Sequence, residues 1–321
     1  MSKHMPISCM CILGLCIIAA GLPIPGTGRV LAEDEEPEYE MEISGWKLAG
    51  ILTGGIHVTE FQDWQGGGSD TIAMNGRYEL WAVRSMPKNE WKNRVKLEYG
   101  VTRSDTEDYR PSTDVFLLDT RFEHSLNPRF FAYIRGYIST NMGNQYDYFD
   151  DPVDIIFFDQ PVEYQVVKTR VAEGFDPLKL EQGTGIGWVI HQAEDETTSV
   201  IFMLGAGTRQ LLSDSYFVED DNPITPELEY EKVDTYSDVG GEAVLDVIWT
   251  INSVAKFTSH GAAFYGFEEE RWNARWENSL DLKITQYVGV NLSAEMLYDE
   301  AVFDGDQWKL GTMLTFNYRI F

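Results

Sequence analysis

Side chains able to do covalent or metal chemistry are few in this sequence, and they stand apart. Beyond residue 32 there are four histidines, His57, His124, His191 and His260, and none forms an HExxH, paired-His or Cys/His pattern. A zinc centre needs three or four such donors at short spacing, so a metal enzyme is not expected. The three cysteines, Cys9, Cys11 and Cys16, lie near the start and leave no disulfide framework or thiolate site for the rest of the chain. Hydrolytic chemistry of the Ser/His/Asn kind would, on a strand, place histidine and serine two residues apart, because i and i+2 share a face. Ser259-His260 and His124-Ser125 are adjacent and point to opposite faces, while His57-Val58-Thr59 and Thr258-Ser259-His260 have the spacing but supply threonine. Gly183-Thr184-Gly185-Ile186-Gly187 has the outline of a dinucleotide loop, which holds phosphate only in front of a helix N-terminus. Strand-like residues follow it here, so glycines easing a tilted strand are the better account.

What the sequence has in quantity is charge set on alternating positions. Asp+Glu total 52 against Lys+Arg 25, a net charge of −27, which argues against nucleic acid as a partner. Many of these charges fall at every second residue opposite an apolar face, the period of a strand with two unlike sides. Across 71–84, Ile72, Met74, Tyr78, Leu80 and Ala82 share one face while Asn75, Arg77 and Glu79 share the other. Lys92, Arg94, Lys96 and Glu98 oppose Trp91, Val95, Leu97, Tyr99 and Val101; Arg275, Glu277, Asp281 and Lys283 oppose Trp272, Ala274, Trp276, Leu280 and Leu282. Arg121, Glu123 and Arg135 continue the polar face in two further runs. Bases and acids are close to balanced on these faces, so the chemistry on offer is ion pairing and the guidance of small solutes. No cofactor is expected. The acidic surplus lies in 142–181 and 212–238, where solvation is the simplest reading. Divalent cations bridging these segments to anionic lipopolysaccharide are a second reading, although no EF-hand spacing names ligands.

Twelve alternating runs position these charges, at roughly 46–60, 71–84, 91–102, 114–124, 130–140, 184–191, 199–210, 239–250, 253–265, 272–284, 287–298 and 308–320. Connections at 86–89, 125–128, 250–253 and 285–286 are tight, whereas 142–182 and 212–238 are very long. Short turns on one side and long loops on the other predict an all-β fold: a transmembrane antiparallel up-and-down β-barrel of about 12 strands with long extracellular loops. An even strand count returns both termini to the periplasmic side. Trp46, Trp81, Trp91 and Trp249 then fall near one set of strand ends and Trp272 and Trp308 near the other, as aromatic girdles require. Trp188 and Trp276 sit deeper and the girdle does not explain them. The polar face would line the lumen. A soluble sandwich or jelly roll shows the same alternation with the apolar face as its core.

The N-terminus carries Lys3 and His4, an apolar run from Cys9 to Ala20, Gly/Pro breakers, and Val30-Leu31-Ala32. This pattern predicts a secretory signal peptide over 1–32, because a helix needs about 20 apolar residues to span a bilayer. An acidic periplasmic leader over 33–45 and an outer-membrane barrel over 46–321 complete the expected organisation. At the other end, Phe316, Tyr318 and Phe321 resemble the terminal strand by which the barrel-assembly machinery recognises its clients. Tyr318, Phe316 and Leu314 share the face of Ile320, not that of Phe321, so Phe321 overhangs the last pair or the end is bulged.

Several short motifs also resemble a known family. They are Asp63-Trp64-Gln65-Gly66-Gly67-Gly68-Ser69, Trp91-Lys92-Asn93, Leu97-Glu98-Tyr99-Gly100, Gly183–Gly187, Trp276-Glu277 and Leu297-Tyr298-Asp299. In order and spacing they are similar to uncharacterised bacterial outer-membrane proteins close to the salt-induced outer-membrane-protein family, over most of 46–321. The resemblance implies an outer-membrane barrel and no established activity or functional residues. Three functions stay open at this point: a narrow or gated porin-like channel for small solutes, a structural or envelope-stress barrel without a through-pore, and an outer-membrane lipid hydrolase. The expected partners are outer-membrane lipid, lipopolysaccharide and the barrel-assembly machinery, with the oligomeric state left open.

Overall fold

A computed structural model describes residues 41–43, 45–59, 71–104, 109–157, 163–193, 197–217, 227–300 and 303–320. The chain divides into two compact units, Met1–Glu33 and Asp34–Phe321, and every described residue belongs to the second. The expected signal peptide, the motif at 63–69, most of the leader and Phe321 lie outside the described residues.

The described residues form seventeen strands. The first six are β1 Met41–Ile43, β2 Trp46–Thr59, β3 Thr71–Ser85, β4 Asn89–Ser104, β5 Arg110–Asn127 and β6 Phe130–Thr140. Next come β7 Gln145–Phe157, β8 Glu163–Ala172, β9 Leu178–Gln192, β10 Thr198–Leu212, β11 Tyr216–Phe217 and β12 Leu228–Lys232. The last five are β13 Tyr236–Asn252, β14 Ala255–Gly266, β15 Trp272–Lys283, β16 Val288–Asp299 and β17 Phe303–Arg319. Twelve of these make one antiparallel sheet in the order β2-β17-β16-β15-β14-β13-β10-β9-β6-β5-β4-β3, and pairing of β3 with β2 closes it into a barrel. Closure leaves no strand of the twelve at an edge of the sheet. Polar side chains shape the tight turns: Asn127 Oδ1 accepts from the amides of Arg129 and Phe130 at 2.9 and 3.0 Å, and Thr285 Oγ1 from those of Tyr287 and Val288 at 3.2 and 3.0 Å.

Closure falls at the last strand. β17 pairs with β2 from Leu314↔Ile56 to Arg319↔Ile51 in unbroken register, and the Ile320 amide donates to Gly50 O at 2.9 Å. Tyr318 and Phe316 therefore sit on the part of the terminal strand that pairs with β2, side chains exposed. Met41–Ile43, expected within the leader, instead forms β1 and takes the edge of β2 just past the end of β17, with Met41 opposite Leu48.

The burial pattern is the reverse of a soluble fold. Ile134, Leu204 and Leu310 are 64%, 60% and 78% exposed in mid-sheet, while Glu98, Arg135, Arg209, Glu242 and Asp299 are buried. A soluble sandwich would place these sets the other way round.

The two long connections carry structure that alternation did not announce. β7 and β8 from the first and β11 and β12 from the second join in one four-stranded sheet, order β11-β12-β7-β8, with β12 parallel to β7. Ile155, Phe157 and Tyr230 form its apolar centre, and Phe149, Val153, Val166 and Leu228 pack around them. Acids staple these segments, one from the barrel and one of their own. Asp114 accepts from the amides of Met142 and Gly143, both at 2.8 Å, and Asp176 accepts from the Asp214 amide at 3.1 Å, tying one connection to the other.

Candidate functional site

The inward faces of the barrel strands bring the expected charges together, first between neighbours. Arg77 on β3 grips Glu98 on β4 through Nε and Nη2 at 3.1 and 3.2 Å, and Lys96 Nζ adds a contact at 3.0 Å. Arg94 Nε donates to Glu79 at 3.1 Å. Lys92 Nζ reaches Glu123 on β5 at 3.3 Å, where Arg121 Nε also lies 2.7 Å from the carboxylate. Arg275 lies 3.4 Å from Glu277 on its own strand. Asp281 accepts from Asn291 at 2.7 Å. Lys283 ends β15 near the tight turn, exposed and outside these pairs. Long side chains on adjacent strands are within ordinary cross-strand reach, so these contacts follow from register alone.

A second set does not follow from register. Arg121 on β5 reaches Asp246 on β13 at 3.0 Å, and the other oxygen of Asp246 meets His260 Nδ1 at 2.6 Å. Arg135 on β6 holds Glu242 on β13 through Nε and Nη2 at 2.9 and 2.7 Å, joined by the Tyr133 hydroxyl at 2.7 Å. Arg209 on β10 forks onto Asp299 on β16 at 3.2 and 2.6 Å. Arg275 on β15 donates to the Tyr137 hydroxyl on β6 and lies 4.4 Å from that ring. Between the partners of these contacts stand two to four other strands. Twelve strands spaced about 4.8 Å apart and tilted about 40° would close a round wall about 24 Å across, too wide for an Arg–Asp pair to bridge four places. The wall is therefore drawn in, and these pairs cross the lumen.

Glycines make the inward approach possible. Gly183, Gly185 and Gly187 on β9 face inward, between β6 and β10. A Cβ on Gly187 would lie 2.0 Å from the Phe131 ring, and one on Gly183 would lie 2.1 Å from the Glu242 carboxylate. β6 side chains thus lie flat over β9 and reach β10 and β13, giving a buried inward cluster of Phe131, Tyr133, Met203 and Val244. The triple-glycine pattern is a floor for these side chains, and Gly185 additionally has backbone of β10 where its Cβ would go.

The tryptophans divide. Trp91, Trp249, Trp272 and Trp308 are exposed on the outer face, and Trp46 packs on Trp91 at 5.2 Å. Trp81 departs from the girdle expectation: it stands opposite Arg94 and Ala49, on the inward face of Arg77 and Glu79. Two residues from Glu79 means the same face, so the alternation overrides its nearness to a strand end. Trp188 belongs with the outer set, being exposed and stacked on Phe130 at 6.2 Å beside the tight turn. Trp276 Nε1 donates to Ser259 Oγ at 2.9 Å on the outer face, while His260 turns inward. That serine and that histidine do not meet. Sequence reasoning missed Lys179, Glu181, Tyr133 and Tyr137; the alternation Leu178-Lys179-Leu180-Glu181 carried the signal for the first two, in a strand begun six residues too late. Among the described residues no three His, Cys, Asp or Glu side chains converge as a metal set.

Residues 56–146 match a family described as "Protein of unknown function (DUF3078)", which spans β2 to the start of β7. No curated protein matches the chain. Among solved structures, the outer membrane channel from Pseudomonas putida F1 is 11% identical, with a TM-score of 0.40, covering 90% of this chain and 100% of that one. The translocator domain of autotransporter NalP from Neisseria meningitidis is 9% identical at 0.39, covering 98% and 96%. Pseudomonas putida OprB at high pH is 9% identical at 0.32, covering 85% and 94%.

Proposed function

We propose that this chain is an outer-membrane barrel containing a narrow, gated channel for small solutes, with its termini and tight turns on the periplasmic side. The observation that carries the reading is the set of charged contacts crossing the lumen, Arg121–Asp246, Arg135–Glu242 and Arg209–Asp299. A barrel that needed only to be filled would gain as much stability from apolar side chains, because burying an ion pair costs desolvation that its attraction barely offsets. Ion pairs differ from an apolar plug in that water, salt or a charged solute can exchange for either partner. The exposed apolar face with tryptophans at both strand ends supports placement in a membrane. A structural barrel without a through-pore is the second reading, favoured by the apolar cluster around Phe131 and Met203, which fills one side of the lumen.

A swelling assay on proteoliposomes separates the two. Wild-type protein is expected to admit a pentose slowly, and Arg121→Ala with Arg275→Ala to admit it several-fold faster. If neither swells while both remain folded, the structural reading replaces the channel.

A further inference from the structure

We propose that Lys179 and Arg209 form a recognition site for the carboxylate of small organic acids at the loop-side mouth of the barrel, and that Asp299 occupies it in the solute's place. As a statement about transport this rests on the channel reading above; as a binding site it stands alone.

The geometry begins with Asp299. Its side chain is 1% exposed and receives two parallel bonds from Arg209, at 3.2 and 2.6 Å, while Lys179 Nζ stands 3.6 Å away. A planar guanidinium fork matches the two oxygens of a carboxylate, and a lysine beside it adds charge without directional demand. These groups come from strands far apart in the wall, β9 and β10 on one side and β16 on the other, so Asp299 enters as a visitor would.

It also sits where it can leave. The β16–β17 ladder shifts register between Leu297 and Asp299, and Asp299 is the last residue of its strand. Lys179 is the second residue of β9, Arg209 lies three from the end of β10, and Tyr236 opens β13. All are at the end that carries the long connections, where a solute from outside arrives first.

Donors remain to be used. Among the described residues, Arg209 Nε has no hydrogen-bond acceptor although the residue is 4% exposed, and the Tyr236 hydroxyl beside it is likewise buried without a partner. Glu181, 3.8 Å from Arg209 Nε, is shared with Arg135 at 3.4 Å. With Asp299 withdrawn, Lys179 and Arg209 would keep half a share of one carboxylate, a site one negative charge short. Tyr236, 5.7 Å from the Arg209 guanidinium, gives an aromatic wall, which favours an organic acid over chloride.

The probe is sodium benzoate against sodium chloride at equal ionic strength, with the full chain in detergent for calorimetry and in planar bilayers for current. Asp299→Asn is expected to bind benzoate at least about tenfold more tightly than wild type, and Arg209→Gln placed in that background to lose at least about tenfold, the worth of one charged hydrogen bond. In bilayers, benzoate should raise wild-type current above that in chloride, by competing with Asp299. Should Asp299→Asn not fold, wild-type current and binding at high benzoate carry the test. Equal binding in the Asp299→Asn and Arg209→Gln backgrounds, or none, overturns the site whatever the current does. Binding that follows Arg209 without any current keeps the site and overturns the channel reading instead.

Discussion

Leu204 and Met203 are neighbours in β10 with opposite surroundings: Leu204 is 60% exposed on the outer face and Met203 is 1% exposed against Phe131 and Tyr133. If the outer face meets lipid, Leu204→Arg should destabilise the barrel by about 2–4 kcal/mol in vesicles, because no water reaches mid-strand there to solvate the guanidinium. Lys92→Gln, facing the lumen beside Glu123, should cost well under that, since its pair is partly open to water. Urea midpoints in phosphatidylcholine vesicles measure both, and equal losses would reject the assignment of faces. At this scale the sequence was legible wherever alternation was regular. Arg77, Glu98 and Arg121 are placed by counting in twos, whereas for Trp81 the distance to a strand end is a weaker cue than its parity with Glu79. Lys179 escaped because Gln182 and Thr184 interrupt the apolar face by which a strand is read.

The elements separate into those whose pairing is local and those whose pairing is not. Apart from the closure of β17 on β2, the twelve barrel strands join their chain neighbours or, across a long connection, the next barrel strand, and their alternation marked them. β7 and β12 pair in parallel across some seventy residues, and β7 carries Asp150-Asp151-Pro152 where a strand should alternate cleanly. No local pattern could have shown that pairing. Its stability depends in part on Tyr230, 1% exposed, whose hydroxyl donates to Asp147 at 2.7 Å. Burial first, and then the Asp147 bond, raise this hydroxyl above the ordinary tyrosine value of about 10. The fold thus favours the protonated form, so its contribution is complete below pH about 10 and declines as pH rises beyond it. The near-ultraviolet circular dichroism of the loop sheet should fade above that pH before the barrel unfolds, and Tyr230→Phe should remove the pH dependence. An unchanged alkaline transition in Tyr230→Phe would show that Tyr230 is not the responsible group.

For the whole molecule, the sequence disclosed a barrel with a balanced polar face but not how that face is folded against itself. Adjacent pairs such as Arg77–Glu98 follow from register; Arg209–Asp299 and Arg275–Tyr137 depend on how far the wall is drawn in, which inward glycines on β9 permit and no strand pattern reports. The consequence is a lumen crossed at several levels, and the central claim is that these crossings keep it shut. Single-channel recording of the full chain in planar bilayers tests that most directly. Wild type should show small, intermittent currents, and Arg121→Gln with Arg275→Gln should show openings several-fold larger and longer. A wild-type protein that conducts steadily like a wide porin, unaffected by either substitution, would contradict the claim.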